Sequence, residues 1–454
     1  MTVTRMAGAD AAWLGIDAPD NLMMVTAVLR LEGRLDWARF ADVVQARVVA
    51  RYPAFRRRAL RGAGPLGQSA WSDDPDFDLR AHVVPGALVA DSVSDLGRVV
   101  SDLLATPLDM TRPPWQFHLV DGPTGNSTVV ARLHHCIADG IALAGVLLSL
   151  TDDTNNGDDT DDTNNTDHTD VENAENTDDT DNTGGAGSQA ATGAKPSRLQ
   201  HIGRGARLGA GVVGTGVRVL AFPRDPRTSL HARLGTRKGV AWTRPLELDR
   251  LKDIGRGYGV TLNDVVLAVT AGALRRYLLA HGERPQDLRI FIPVNLRPAR
   301  SPRSTELGNR FGLIFVSLPV SLADPARRVR AVHERTSRLK AGQQAAATYA
   351  LLRMVGVAPR WGQRLSARLL GAKSSAVVTN VRGPSERVTL AGTPVDGVLF
   401  WVPQTGSVGL GVSILSYAGT VTVGIAADRN VVGEPSELAD AMEAEVADLE
   451  NRLG

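Results

Sequence analysis

The sequence predicts an α/β protein built in two parts, and three observations carry that expectation. The chain has 454 residues, too many for one ordinary core, so two domains are expected. Stretches of strand and helix periodicity are interleaved in both halves. Between the halves, residues 151–183 hold 13 Asp and Glu and no Lys or Arg, set among Thr and Asn. Such a tract cannot bury enough apolar surface to fold. With the GGAGSQAATGAKPS that follows, it is expected to be a disordered acidic linker over 151–198. It would join an N-terminal domain of residues 1–150 to a C-terminal domain of residues 199–454, each with substantial sheet.

The elements follow in order. MMVTAVLRLEG predicts a strand, and DWARFADVVQARVVARY an amphipathic helix with apolar positions at helical spacing. STVVARLHH predicts a second strand and GIALAGVLLSL an apolar helix after it. In the second half TLNDVVLAVTAGALRRYLLAHG predicts a long helix, capped by Thr261 or Asn263 and closing near Gly282. LRIFIPVNLR, FGLIFVSLPV, SAVVTNV and VGLGVSILSYAGTVTVGIAAD predict strands, with YAG as a turn inside the last. Gly209, Gly211 and Gly214 in GAGVVG match a dinucleotide fingerprint, but no βαβ unit frames them. The surrounding 207–222 is better read as a hinge or a surface-lying apolar segment, with interfacial membrane contact one option. The acidic tract lacks the spacing of a calcium loop.

Charge and cysteine usage narrow the class. Without the acidic tract, 51 Lys and Arg face 36 Asp and Glu, so the body carries about +15. A basic body favours anionic partners: nucleic acid, an anionic membrane surface, or a phosphate-rich molecule such as coenzyme A. The single Cys136 excludes an internal disulfide framework and suits a reducing cytoplasm. The start, MTVTRMAGADAAWLG, lacks the pattern of a secretory signal, and no apolar stretch is long enough to span a bilayer. A cytoplasmic location is expected, with peripheral membrane contact open.

The chemistry concentrates in LHHCIADGIALAG, residues 133–145. Strand alternation puts Val129, Ala131, Leu133 and His135 on one face and Val130, Arg132 and His134 on the other. His135 then shares an apolar face, where a neutral imidazole suits a general base. Asp139 can brace the turn, and Gly140 can supply a backbone shape or close approach that a side chain would block. A metal site is disfavoured because adjacent histidines on a strand point apart and HExxH is absent. A Cys136 nucleophile paired to a neighbouring histidine is disfavoured on geometry, and no GxSxG elbow occurs. A histidine pair packed in the core without function stays open on this stretch alone.

His134-His135-x-x-x-Asp139-Gly140 resembles the HHxxxDG signature of coenzyme A-dependent acyltransferases, a superfamily that includes chloramphenicol acetyltransferase and peptide-synthetase condensation domains. The flanking segments resemble one branch, the bacterial wax ester synthase/acyl-CoA:diacylglycerol acyltransferase family, over nearly all the chain except the acidic linker. They are DAAWLGIDAPDNLMMVTAVLRLEG, PLDMTRPPWQFHLVDG (107–122), TLNDVVLAVTAGALRRYL, PVNLR, LGNRFG, VVTNVRGP and SYAGTVTVGIAAD, in that order. Pro114, Gln116, Thr379 and Arg382 depart from the family's usual residues, as does the long acidic insertion.

The resemblance implies two chloramphenicol acetyltransferase-like domains, each a mixed sheet with helices, and a tunnel between them. It implies acyl-CoA as a substrate with no separate cofactor, and diacylglycerol or a long-chain alcohol as acceptor. Contact with a membrane or lipid droplet is compatible with it, and nucleic acid is not among the implied partners. His135 would be the general base, with His134 and Gly140 completing the motif. Asp139 would hold the active-site loop, with Arg297 as one partner. Asn263 on the matched N-D pair is the candidate oxyanion donor, and Asp264 is expected to be structural. Carrier-dependent acyl transfer or condensation, or lipid binding without catalysis, are the alternatives.

Overall fold

The first half forms β1 (Val3–Arg5), α1 (Gly8–Ile16), β2 (Met24–Leu31), α2 (Trp37–Val44), β3 (Arg57–Leu60), β4 (Ala70–Asp73) and β5 (Val83–Val89), of which β2 and α2 were expected. α3 (Val93–Ala105), β6 (Trp115–Asp121), β7 (Ser127–His134) and α4 (Gly140–Leu148) complete it. The second half contains β8 (Lys238–Trp242), β9 (Leu246–Glu247), α5 (Leu248–Tyr258), α6 (Leu262–Ala280), β10 (Leu288–Asn295) and β11 (Phe311–Leu318). Then come α7 (Pro325–Ser337), α8 (Ala341–Val355), α9 (Arg360–Gly371), β12 (Ala376–Arg382), β13 (Thr389–Leu390) and β14 (Thr393–Trp401). β15 (Leu410–Tyr417), β16 (Thr420–Asp428) and α10 (Ser436–Asn451) end the chain. These come from a computed structural model that describes residues 3–62, 68–90, 92–122, 125–152, 221–297, 307–339, 341–404 and 406–453. The acidic tract from residue 153 and the GAGVVG segment lie outside the described residues.

Two mixed sheets carry the fold. One runs β13-β14-β2-β7-β6-β5, the other β11-β10-β12-β15-β16-β8 with β9 added on β16, and a small sheet β1-β4-β3 stands apart. The pairs β5–β6, β10–β12 and β12–β15 are parallel, and every other pair is antiparallel. The sheets do not divide the chain where the acidic tract does. β13 and β14 cross back into the first sheet, and β14 pairs antiparallel with β2 from Val395–Leu31 to Trp401–Thr26. Each sheet then has its own core: Leu29, Phe40, Trp115 and Phe117 in the first, Val269, Leu274, Ile290 and Ile425 in the second.

Local signals place the ends of the helices. Thr261, not Asn263, caps α6, and Asp264 returns the bond to close a capping box. Gly282, at φ +73°, turns the chain after it. The YAG turn between β15 and β16 puts Ala418 and Gly419 at φ +46° and +79°, the paired left-handed residues of a tight hairpin. α2 continues into a π-helical turn over Gln45–Val49. Among the described residues no single helix is long and apolar enough to span a membrane, and the apolar α6 is buried in the second core.

Candidate active site

Three segments from distant parts of the chain meet at the end of β7: helix α1, the turn His134–Asp139, and the residues flanking the β10–β11 connection. β7 ends at His134, and Ile137 N–H donates back to the His134 carbonyl (3.0 Å). The pairing with β2 runs one residue further, Met23 and His135 continuing the register of Met24 with His134. The His135 ring stacks on Trp13 of α1 (centroids 4.2 Å, 25°) and tilts against Phe311 of β11 (5.7 Å).

The His135 backbone is pinned on both sides. Its N–H donates to Met23 O (2.8 Å), and its carbonyl accepts from Asn309 Nδ2 (2.8 Å). Its Nδ1 is buried with no hydrogen-bond partner among the described residues. Burial pulls the imidazole down to about 4, against the opposing pull of the Asp139 charge, so the ring is neutral at pH 7. Asn309 is held in turn by Asp10, whose Oδ1 accepts from Asn309 N (2.9 Å) and Nδ2 (2.8 Å). Burial raises the Asp10 carboxyl to about 6, even though the Asn309 bonds favour its ionised form.

Asp139 joins the two halves. Its Oδ1 caps α4 by accepting from Ala142 N (3.0 Å). Arg297 Nη1 donates to both carboxylate oxygens (2.8 and 2.6 Å), and Arg310 N donates to Oδ2 (2.9 Å). The Arg297 Nη2 then reaches Gly308 O (2.5 Å). One carboxylate thus ties the motif turn to both ends of the β10–β11 connection.

His134 faces the other way. Its Nδ1 accepts from Cys136 N (3.1 Å), which leaves the ring proton on Nε2, 3.6 Å from Asp17 Oδ1. Asp17 also accepts from Met23 N (2.9 Å) and Arg61 (2.7 Å). Burial alone would raise this carboxyl, but His134, the Met23 amide and Arg61 together hold it down to about 2. Asp17 and His134 line a cavity of about 280 Å³ with Arg61, Arg360 and Arg364. A second, apolar cavity runs beside Trp13 and Phe311 between α1, α8 and α9. A third lies against α4 and the ends of β12 and β15, lined by Gly140, Leu143, Val381 and Tyr417.

The remaining expected residues separate. Gly140 has an ordinary φ, and a Cβ there would meet no atom within 4 Å. The expected backbone requirement is corrected: the missing side chain leaves room in the third cavity. Asn263 sits half-buried in the first turn of α6, and its amide makes no hydrogen bond among the described residues. Asp264 is structural, accepting from Thr336 Oγ1 (2.7 Å) and meeting His333 Nδ1 (2.8 Å). Trp115 is core, its Nε1 donating to Phe55 O (2.9 Å). Cys136 is fully buried, and burial pushes its thiol well up, away from thiolate chemistry. Asp10, Trp13, Asn309 and Phe311 were not singled out by the sequence. A carboxylate inside the otherwise apolar GADAAWLGI helix is the one local signal that marks Asp10.

Two family models cover most of the chain: the wax ester synthase/diacylglycerol acyltransferase catalytic domain over residues 6–266, and the WS/DGAT C-terminal domain over 307–450. The chain belongs to the wax ester synthase/diacylglycerol acyltransferase family. A Mycobacterium tuberculosis (H37Rv) protein named a probable diacylglycerol O-acyltransferase is 32% identical over 394 residues, 85% of this chain and 82% of that protein. A second from the same strain, named a putative diacylglycerol O-acyltransferase, is 26% identical over 98% of this chain and 90% of its own. The solved wax ester synthase/diacylglycerol acyltransferase from Marinobacter aquaeolei shares the fold (TM-score 0.67, 21% identity, 99% of this chain and 100% of that one). So does the first condensation domain of the CDA synthetase (TM-score 0.59, 18% identity, 99% and 95%). The two-sheet architecture is thus the one expected from the HHxxxDG resemblance. Within the family's frame, the Asp139–Arg297 pair links a residue of the first matched region to the connection between the two.

Proposed function

We propose that this chain is an acyl-CoA-dependent O-acyltransferase that moves a long-chain fatty acyl group onto the hydroxyl of diacylglycerol or a long-chain alcohol. The observation that carries this reading is His135: a neutral imidazole stacked on Trp13 and tilted against Phe311, beside an apolar cavity, in a turn fixed by Asn309, Asp139 and Arg297. His135 takes the acceptor's hydroxyl proton as the oxygen attacks the thioester carbonyl carbon. The tetrahedral oxyanion collapses, the C–S bond breaks, and the imidazolium returns its proton to the leaving thiolate. The ester and free CoA are the products, and no acyl-enzyme forms. A free alcohol is far too weak an acid to ionise at pH 7, and base assistance of this kind contributes about 10²–10⁴ in rate. Burial keeps the ring unprotonated at pH 7, so its nitrogen is free to take the proton, and the imidazolium formed passes it on readily.

His134 acts by position, fixed between the Cys136 amide and Asp17. Asn263, its amide unengaged among the described residues, is our candidate donor to the oxyanion. The phosphates of CoA suit the cavity lined by Arg61, Arg360 and Arg364, where Arg360 is pulled below its ordinary range by burial and then by its two arginine neighbours. The acyl chain suits the apolar cavity beside it. Both lipid substrates make a membrane or lipid-droplet surface the natural place of work.

The test follows CoA release from palmitoyl-CoA with hexadecanol or dioleoylglycerol, with lipid products separated in the same reactions, alongside His135→Ala. Acceptor-dependent ester that vanishes in the variant is the expected result. Turnover only of carrier-bound acyl groups, or lipid binding unchanged in His135→Ala with no turnover in the wild type, would overturn it.

A further inference from the structure

The outward face of α9 has the wrong polarity for a helix that meets only water. Gln363, Ala367 and Gly371, four residues apart, face the protein. Gln363 anchors that face by donating to Gly356 O (3.2 Å) and Ala358 O (2.9 Å). Almost diametrically opposite, again four residues apart, stand Trp361, Leu365 and Leu369, exposed by 72%, 50% and 52%. Met354 at the end of α8 and Val357 in the connection just before α9 are exposed as well. Five of the eleven large apolar side chains exposed among the described residues fall in these sixteen positions, a concentration that scattered surface residues do not give.

The charge beside this stripe has one sign. Arg360, Arg364 and Arg368 run along its flank, and Arg353 lies at the end of α8. From Glu334 to Glu386 the sequence has no acidic residue between. Among the described residues none of these four arginines is ion-paired. An apolar stripe led by a tryptophan and flanked by unpaired arginines complements a surface that offers an apolar layer beneath a layer of negative charge. The position fits too, because α9 is a wall of two cavities: Arg360 and Arg364 line the basic one, Ala367 and Leu370 the apolar one.

We propose that α9 and the end of α8 form a docking surface for an anionic lipid bilayer or monolayer. Trp361, Leu365 and Leu369 enter the interfacial layer, and Arg353 and Arg368 meet lipid phosphates. Docking there sets the cavity walls at the lipid surface, so a lipid acceptor reaches His135 without crossing water. The inference deepens the lipid-substrate reading and rests on it for this purpose. Binding itself is measured without substrates, so the two can fail separately.

The experiment is co-flotation of the full-length protein with phosphatidylcholine vesicles, with and without phosphatidylglycerol. The wild type is expected to float with phosphatidylglycerol vesicles and to be released by salt. Arg353→Gln with Arg368→Gln should weaken binding about tenfold or more, at roughly fivefold per interfacial charge. Trp361→Ser, Leu365→Ser and Leu369→Ser combined should weaken it at least about tenfold while circular dichroism is unchanged. Should the triple variant not fold, Trp361→Ser alone serves. Acyl transfer to detergent-dispersed acceptor should persist in the folded variants. No flotation of the wild type, or equal flotation of the apolar-stripe variant, would overturn the proposal. Equal binding to vesicles without phosphatidylglycerol would overturn the choice of an anionic surface. A wild-type dimer that the stripe substitutions dissociate, with no vesicle binding, would assign the face to a second copy instead.

Discussion

His134 and His135 are consecutive, equally buried, and opposite in kind. The ring of His134 is held through one nitrogen, which accepts from the Cys136 amide, while the other makes no hydrogen bond among the described residues and stands 3.6 Å from Asp17, itself tied to Arg61. The ring of His135 stacks on Trp13 and tilts against Phe311, its backbone bonded at both ends and its Nδ1 unpartnered among the described residues. A hydrogen-bonded ring is fixed in place and committed to its partners. A stacked ring is fixed just as well by contact and keeps its protonation free to change, which proton transfer requires.

Five substitutions can break or sharpen that contrast. The largest effect is expected at His135: His135→Ala should lower acceptor-dependent kcat by about 10²–10⁴, whereas His134→Ala should lower it about tenfold, since it loses only positioning. Equal losses in the two variants, measured by CoA release, would erase the distinction. In the wild type, kcat/KM should stay level with respect to His135 through neutral pH and fall as pH drops through about 4, where the ring protonates.

Next in size, Arg297→Ala leaves Asp139 with only the Ala142 and Arg310 amides. Stripping a buried carboxylate of its cation typically costs 3–5 kcal/mol, and the partial exposure of Arg297 puts the expected loss at about 2–3 kcal/mol by urea unfolding. Activity should fall with it, because the turn carrying His135 loses its tie to the β10–β11 connection.

Asp10→Asn acts through pH. A carboxyl raised from near 4 to about 6 in the folded state contributes stability that is complete below pH 4 and lost as pH rises through 6. His118 and His135, both pulled to about 4 by burial, act in the opposite sense below neutrality. The difference between variant and wild type therefore isolates Asp10. Relative to wild type, Asp10→Asn should gain about 2–3 kcal/mol between pH 4 and 7. A flat difference would place Asp10 in a wetter site than its burial indicates. The smallest effect belongs to Cys136→Ala, which should keep most activity, and complete loss in a folded variant would restore the thiol to the chemistry.

Much of the fold was legible because its signals are local. Strand periodicity, a cap at Thr261, the YAG hairpin and Gly282 are each written within a few residues, and each forms where expected or, for the cap, at one of the two positions offered. The HHxxxDG turn was legible as a motif, and Arg297 as a partner for Asp139. Alternation groups His135 with apolar neighbours but cannot name the rings it meets, Trp13 and Phe311, which come from distant segments.

The sequence by itself determined the α/β class, the strands β2, β7, β10, β11, β12, β15 and β16, the helices α2, α4 and α6, and the histidine motif, because period, capping and turn chemistry act between near neighbours. Tertiary structure alone decided that β14 crosses into the first sheet beside β2, since no local signal names a strand's partner more than 360 positions away. It alone brought Asn309 onto Asp10 and the His135 carbonyl. It also decided that Gly140 serves a cavity and not a backbone bend. In α9 it chose which stripe faces inward. Helical spacing marks Trp361, Leu365 and Leu369 as one face and cannot say whether that face meets the core or the surroundings, because the period of a helix is the same on either side.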